Sequence, residues 1–299
     1  MRITQRAVTL TSLQGLNRNL EALGKLQGQL TSGKVIQKPS DSPTGTNKAM
    51  QTRAEQAAVT QQGRNVSDAK SWLDQGSSAL MQMMNMTQRI RDLTVQGLNT
   101  GAVSDTSQKA LATEVASLRE GLLGMANTKI AGRPVFGGVT AGDVAYDPAG
   151  NYVGTTATPG SDVGTVARRV SDSELLRVDL TGPEAFGSGD ASLFSVVDRI
   201  ADDLVSGSDS LSADLVALDK ALQTMQNAVA DLGARGARLE RVEQVNADRT
   251  LALRTQLGAV EDIDLPLTIM NLSMQETGYQ AALAATAKVI SPTLLDFLR

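Results

Sequence analysis

The stretch Leu13-Gln-Gly-Leu16-Asn-Arg-Asn-Leu20-Glu-Ala-Leu23-Gly-Lys-Leu26-Gln-Gly-Gln-Leu30-Thr-Ser-Gly33 decides the fold class. Leu13, Leu16, Leu20, Leu23 and Leu30 fall at alternating three- and four-residue steps, with Gln27 in the remaining slot. That spacing puts an apolar heptad seam on one face of a helix running from about Val8 to Leu30. Gly33 suits the left-handed position after a helix end. A seam of this kind needs a partner helix, so the rest of the chain must supply one.

Working outward, Lys34 to Gly45 holds two prolines and the turn residues Ser40, Asp41 and Ser42, which predicts an irregular link. A long helix is predicted from about Thr46 to Leu98. Val66, Ala69, Leu73, Gly76, Leu80, Met83, Thr87 and Ile90 keep heptad spacing, and Trp72, Ala79, Met86 and Leu93 repeat beside them. A stripe this wide touches more than one neighbour, which predicts a bundle. Asn99 to Ser107 reads as a turn, with Ser107 capping a third helix whose seam is Leu111, Val115, Leu118, Leu122 and Met125.

The texture changes at Gly132-Arg-Pro-Val-Phe-Gly-Gly138. From there to about Gly189 the chain is rich in Gly, Thr, Val, Asp and Pro without helical period. Asp147-Pro-Ala-Gly150 reads as a hairpin turn, and Val163 to Leu180 as further strands. Because it lacks the heptad pattern, the segment Val139 to Gly187 is expected to be a replaceable insertion. Helical pattern returns at Leu193, Val197, Ile200 and Leu204, breaks at Ser206 to Ser210, and resumes from Leu211 through Leu232 to Val260. The last helix carries two stripes. One is Leu267, Met270, Met274, Ala281 and Ala284; the other is Ile269, Leu272, Tyr279, Leu283 and Ile290.

The expected fold is therefore mainly α: long antiparallel helices in a coiled-coil bundle drawn from both chain ends, with a small β-rich inserted domain. Its expected parts are an N-terminal core helix and link (1–45), the N-terminal part of a helical rod (46–135), the β-rich domain (136–190), the C-terminal part of the rod (191–260) and a C-terminal core helix (261–299).

Composition narrows the function. The 299 residues are 41% hydrophobic but only 3% aromatic, which favours seams of Leu, Val, Met and Ala between helices. Basic and acidic residues number 28 and 32, a net charge of −4, with no concentrated basic face for nucleic acid. The sequence has neither Cys nor His. The commonest general base, the commonest transition-metal ligand and any thiolate site are thus missing, and no enzyme activity or cofactor is expected. No run approaches the roughly 20 apolar residues of a membrane span, and the N-terminus is amphipathic rather than a secretory signal.

Candidate sites mostly reduce to structure. Asp41 between two serines reads as a capped turn, since calcium asks for more oxygens than this link offers. Glu261, Asp262 and Asp264 read as helix-start charges favoured by the macrodipole. Gly137-Gly138 lacks the Lys-Ser/Thr of a phosphate loop. Met81, Met83, Met84 and Met86 read as gap-filling core. The terminal stripes remain: Leu13, Leu16, Leu20, Leu23 and Leu30, with Leu267, Met270, Leu272, Met274, Tyr279, Leu283 and Ile290. They form the candidate assembly interface, and Gln275 is expected to lie off it.

Several motifs, in this order, resemble the flagellin superfamily. Leu23-Gly-Lys-Leu-Gln-Gly-Gln-Leu-Thr-Ser-Gly-Lys-Val-Ile-Gln-Lys-Pro-Ser-Asp-Ser-Pro-Thr-Gly45 is similar to its N-terminal signature, and the Pro39–Gly45 link resembles the hook-associated FlgL branch more than filament flagellins. Asn65-Val-Ser-Asp-Ala-Lys-Ser-Trp-Leu73, Arg91–Asn99, Ala126–Gly138, Asp179–Gly187, Tyr279–Ile290 and Leu294-Leu-Asp-Phe-Leu298 are similar to the same branch. The resemblance implies a structural, non-enzymatic subunit at the hook–filament junction of the bacterial flagellum. It also implies an extracellular location reached through the flagellar type III export apparatus. The implied partners are an upstream hook-associated junction protein, flagellin, a cytoplasmic export chaperone and copies of itself in a ring. A filament-forming flagellin and a cytoplasmic coiled-coil scaffold are the alternatives.

Overall fold

The protein is seen in a computed structural model that describes residues 5–99, 104–140, 142–156, 164–206 and 210–290. The chain divides into two compact units, Met1–Ala58 with Arg249–Arg299, and Val59–Asp248.

The first unit brings the two chain ends together. Helix α1 (Gln5–Ser32) ends at Gly33, whose φ of 70° takes the left-handed position while its amide donates to the Gln29 carbonyl. Helix α2 (Pro43–Leu98) starts three residues before the expected Thr46. Ser42 explains the earlier start: its hydroxyl accepts from the Gly45 amide and its carbonyl from the Thr46 amide. Pro43 then fills the first helical position, where an amide hydrogen would have no partner anyway. Helix α6 (Leu211–Glu261) ends in this unit, and α7 (Leu265–Ile290) follows after a three-residue corner. Helices α1 and α7 are antiparallel, since the Ile263 amide donates to the Gly33 carbonyl and Gln275 Nε2 to Asn19 Oδ1.

The second unit is a bundle of α2, α3 (Asp105–Ala126), α5 (Leu193–Ser206) and α6. Its interior is what the heptads dictate. Val66, Ala69, Leu73, Leu80, Met83, Thr87 and Ile90 of the first α2 stripe are buried, as are Trp72, Ala79 and Leu93 of the second. Helix α3 is capped by Ser104, not Ser107: the Ser107 amide donates to Ser104 Oγ. The cap sits one turn earlier because Asp105 then enters the first turn, where the helix dipole favours a negative charge. Of the methionines on α2, Met83 is buried, Met84 and Met86 pack against the core, and Met81 faces out.

Between α3 and α5 lie two small antiparallel hairpins. Strands β1 (Lys129–Ile130) and β2 (Arg133–Pro134) pair, as do β3 (Ala167–Arg169) and β4 (Leu175–Arg177). The expected Asp147–Gly150 turn is present, closed by a single bridge between Tyr146 and Tyr152. A short helix α4 (Gly182–Phe186) follows. The few aromatic residues concentrate here: Phe136, Tyr146, Tyr152, Phe186 and Phe194 form a chain of edge-on and tilted contacts with centroids 4.7–6.0 Å apart. This cluster is continuous with the helical core. The low aromatic percentage concealed it because five rings gathered at one place suffice for a small core.

Candidate assembly surface

The α1–α7 seam mixes leucines with polar residues, and α7 leaves most of its large apolar side chains facing out. On α1 the shielded positions include Ser12, Leu16, Asn19, Leu23, Leu26 and Leu30; on α7 they include Thr268, Leu272, Gln275, Tyr279, Ala282 and Thr286. Asn19 and Gln275 meet across the seam at 3.3 Å. A polar pair in a helical seam fixes its register at some cost in stability. Gln275, expected off the contact, is therefore in it.

The expected interface residues divide between the two sides. Leu23 is buried, and Leu16, Leu30, Leu272 and Tyr279 are half-buried against the partner helix. Leu13, Leu20, Leu267, Met270, Met274 and Leu283 face solvent, at 43–61% exposure. Ile290 closes α7, and its side chain lies outside the described residues, as do Leu294 to Leu298. The heptad spacing groups Leu13 and Leu20 with Leu16 and Leu23, whereas the seam with α7 uses Asn19 and Leu26 instead. The exposed set also includes Leu10, Leu265 and Ile269, which the stripes only partly captured. A series of large apolar side chains is thus left in water along one helix pair.

The hinge between the terminal helices is held by charge. Glu261, the last residue of α6, is 4% exposed. Its carboxylate takes Lys34 Nζ at 2.8 Å and Arg53 Nη2 at 2.7 Å. Burial works against its ionisation, but Lys34 and Arg53 outweigh it and hold the carboxyl below the usual range. Glu261 is thus not a helix-start charge. It ends a helix, where the dipole disfavours an anion, and two cations from α2 and the link compensate. Asp264 does match expectation: its Oδ1 accepts from the Leu267 amide at the start of α7. Asp41 also behaves as a turn residue. Its Oδ2 accepts from the Lys38 and Gln37 amides and its Oδ1 meets Lys25 at 3.2 Å. Those bonds, the Lys38 amide first, hold its carboxyl below the usual range. Among the described residues no group of three His, Cys, Asp or Glu is arranged to hold a metal, and no helix is long and apolar enough to cross a membrane.

Residues 3–140 match the bacterial flagellin N-terminal helical region family. Over 95% of its length the chain is 27% identical to flagellar hook-associated protein 3 of Escherichia coli (strain K12), covering 96% of that protein. It is 25% identical to the flagellin of Bacillus subtilis (strain 168) along the whole of both chains. Its fold matches a crystal structure of flagellar hook-associated protein 3 from Legionella pneumophila with a TM-score of 0.61 at 18% identity, over 71% of this chain and 98% of that one. Residues 3–140 are thus similar to the N-terminal helical region of bacterial flagellins, and nearly the whole chain is similar to a flagellar hook-associated protein, whose fold it shares.

Proposed function

We propose that the chain is a structural subunit of the bacterial flagellum that forms the adaptor at the hook–filament junction, on which filament flagellin assembles. The observation that carries this is the outward apolar stripe on the terminal helix pair, in a chain related end to end to a hook-associated protein. Each leucine-sized side chain buried by a neighbour contributes about 1.5–3 kcal/mol, so the exposed stripe supplies ample drive for assembly. Its partners are an upstream hook-associated protein, flagellin and further copies of itself in a ring. A cytoplasmic export chaperone covers the α7 stripe before the chain leaves the cell through the flagellar type III apparatus. The role is mechanical rather than catalytic, in keeping with a chain that has no His or Cys.

The test is complementation of a motile bacterium that lacks its own junction subunit. Wild-type chain restores filaments and swimming. A chain with Leu267→Glu, Met270→Glu and Met274→Glu keeps its circular-dichroism melting curve but leaves hooks bare in electron micrographs. Full filaments on that variant would refute the assembly surface. The flagellin reading is kept alive by the full-length similarity to the Bacillus subtilis protein. Purified chain growing into long filaments under polymerising conditions would favour it; short rings or no polymer favour the junction role.

A further inference from the structure

The α1–α2 link, the first turns of α2 and the last residue of α6 enclose a cleft of about 790 Å3. Lys34, Lys38 and Arg53 line it against one carboxylate, Glu261, an excess of two positive charges (three cations less one anion). Ile36 and Met50 supply an apolar floor, with Met50 62% exposed. The Thr46 hydroxyl in its wall is buried without a hydrogen-bond partner. Lys38 lends its backbone amide to Asp41, but its ammonium meets no carboxylate among the described residues.

The α6–α7 corner has the opposite character. Asp262 and Asp264 are exposed, and Leu265 and Leu267 stand beside them at 53% and 49% exposure. The Val35 amide donates to the Glu261 carbonyl and the Ile263 amide to the Gly33 carbonyl. Cleft and corner are therefore at the same end of the α1–α7 pair. The corner cannot fill the cleft of its own chain: Asp262 is bridged through its backbone to Lys34, and Leu265 begins a helix that runs back along α1.

We propose that the cleft receives the Asp262–Leu267 corner of a second copy of this chain. The corner's carboxylates answer the surplus cations, and its two leucines cover Ile36 and Met50. Cleft and corner are different patches: a one-way contact repeats into a ring or an open helix, whereas a reciprocal one closes a two-fold pair. This rests on the self-association named under the proposed function and supplies its contact.

The chain has no cysteine, which makes the test clean. Full-length Met50→Cys chain is mixed with full-length Leu265→Cys chain, oxidised, and scored for mixed dimer. A disulfide forms only when the two Cα atoms come within about 7 Å. The comparison pair is Met50→Cys with Val216→Cys, an equally exposed site in the other unit. The mixing is done in concentrated solution and, separately, in flagella from cells making both variants. Mixed dimer at about ten times the comparison yield is expected. Lys38→Glu in the first chain or Asp262→Lys in the second lowers that yield roughly fivefold, and the two together restore it. A yield no higher than the comparison pair in both settings overturns the contact, as does a doubly reversed pair that stays as low as either single. If cross-linking fails while hook and filament still join, the contact is wrong and the junction role stands. If cross-linking succeeds while joining fails, the contact stands and the junction role falls.

Discussion

At Gly138 the backbone φ is 64°, and a Cβ built there would lie 2.5 Å from the Thr155 carbonyl oxygen. A neighbouring backbone cannot swing aside as a side-chain tip can. Gly138→Ala is therefore expected to cost about 2–3 kcal/mol, read as a lower melting temperature. Ala131 is the converse case. It and Gly132 form the two-residue turn between β1 and β2, with φ of 49° and 80°, and such a turn asks for positive φ at both positions. Asparagine tolerates that conformation better than alanine, so Ala131→Asn should stabilise by about 0.5 kcal/mol in the same measurement. Glu184 gives a pH signature. Burial pushes its carboxyl up, but hydrogen bonds from Arg177 at 2.7 and 2.9 Å and from Thr181 outweigh burial and hold it at about 2. A carboxyl lowered by folding stabilises above its unfolded pKa and loses that contribution as pH falls through its folded one. The side chain is 39% exposed, so solvent screening leaves about 1 kcal/mol. Glu184→Gln should therefore melt below wild type at pH 7, with the gap closing between about pH 4.5 and pH 2. A gap that persists at pH 2 would show that the lost contact is not the ionised pair.

The elements differ in how plainly the chain announces them. Helix α2 was legible because a run of heptads long enough to bury two adjacent stripes leaves few alternatives, and α5 was legible because Leu193, Val197, Ile200 and Leu204 are all buried at helical spacing. Strands β1 and β2 left no periodic signal, being two residues each. The paired carboxylate clamp at Glu261 was illegible for another reason: Lys34 and Arg53 are more than 200 residues away in sequence, and an acid before a proline-led helix looks like a start charge. On α1 and α7 the stripes were read correctly as apolar, but sequence alone could not say which stripe faces the partner helix. The polar match of Asn19 with Gln275 decides that, and it sends Leu13, Leu20, Met270 and Met274 outward. A consequence can be measured in the isolated chain. In the α1–α7 seam Ser12, Asn19, Thr268, Gln275 and Thr286 interrupt the leucines, and of the leucines named there only Leu23 is buried, so less apolar area resists its opening than in the bundle core. Limited proteolysis should cut within α1 and α7 well before it cuts α2 between Val66 and Leu93. Equal protection of both regions in a proven monomer would mean that the terminal pair is complete without neighbours.

For the molecule as a whole, the segment between α3 and α5 is where the heptad reading and the packing part company. Its lack of helical period suggested an insertion that a linker could replace. Yet it is fastened to three helices. Arg168 pairs with Asp68 of α2 at 2.7 Å, and Asn65 of α2 donates to the Arg169 carbonyl. From α6, Arg235 donates to the Asp179 carbonyl at 2.8 Å and Asn246 to the Val170 carbonyl. On α5, Phe194 packs against Tyr146 at 4.7 Å and Phe186 at 6.0 Å. Asp179 itself is buried, holding the Val166 amide and the Arg177 guanidinium. Removing residues 139–187 behind a Gly/Ser linker would strip Phe194 of both rings and leave the α6 face that meets β3 and β4 in water. Each large side chain so uncovered forfeits about 1.5–3 kcal/mol, which over several residues rivals the whole stability of a domain at about 5–15 kcal/mol. The deletant is therefore expected to keep helical signal at low temperature but to melt early and broadly by circular dichroism and calorimetry. The control is Phe194→Ala, which disturbs the same core from the helical side and should lower the transition by about 3–5 kcal/mol while leaving it sharp. A deletant that melts as sharply and as late as wild type would mean that the helices carry the unit alone, with the β segment a passenger on their surface.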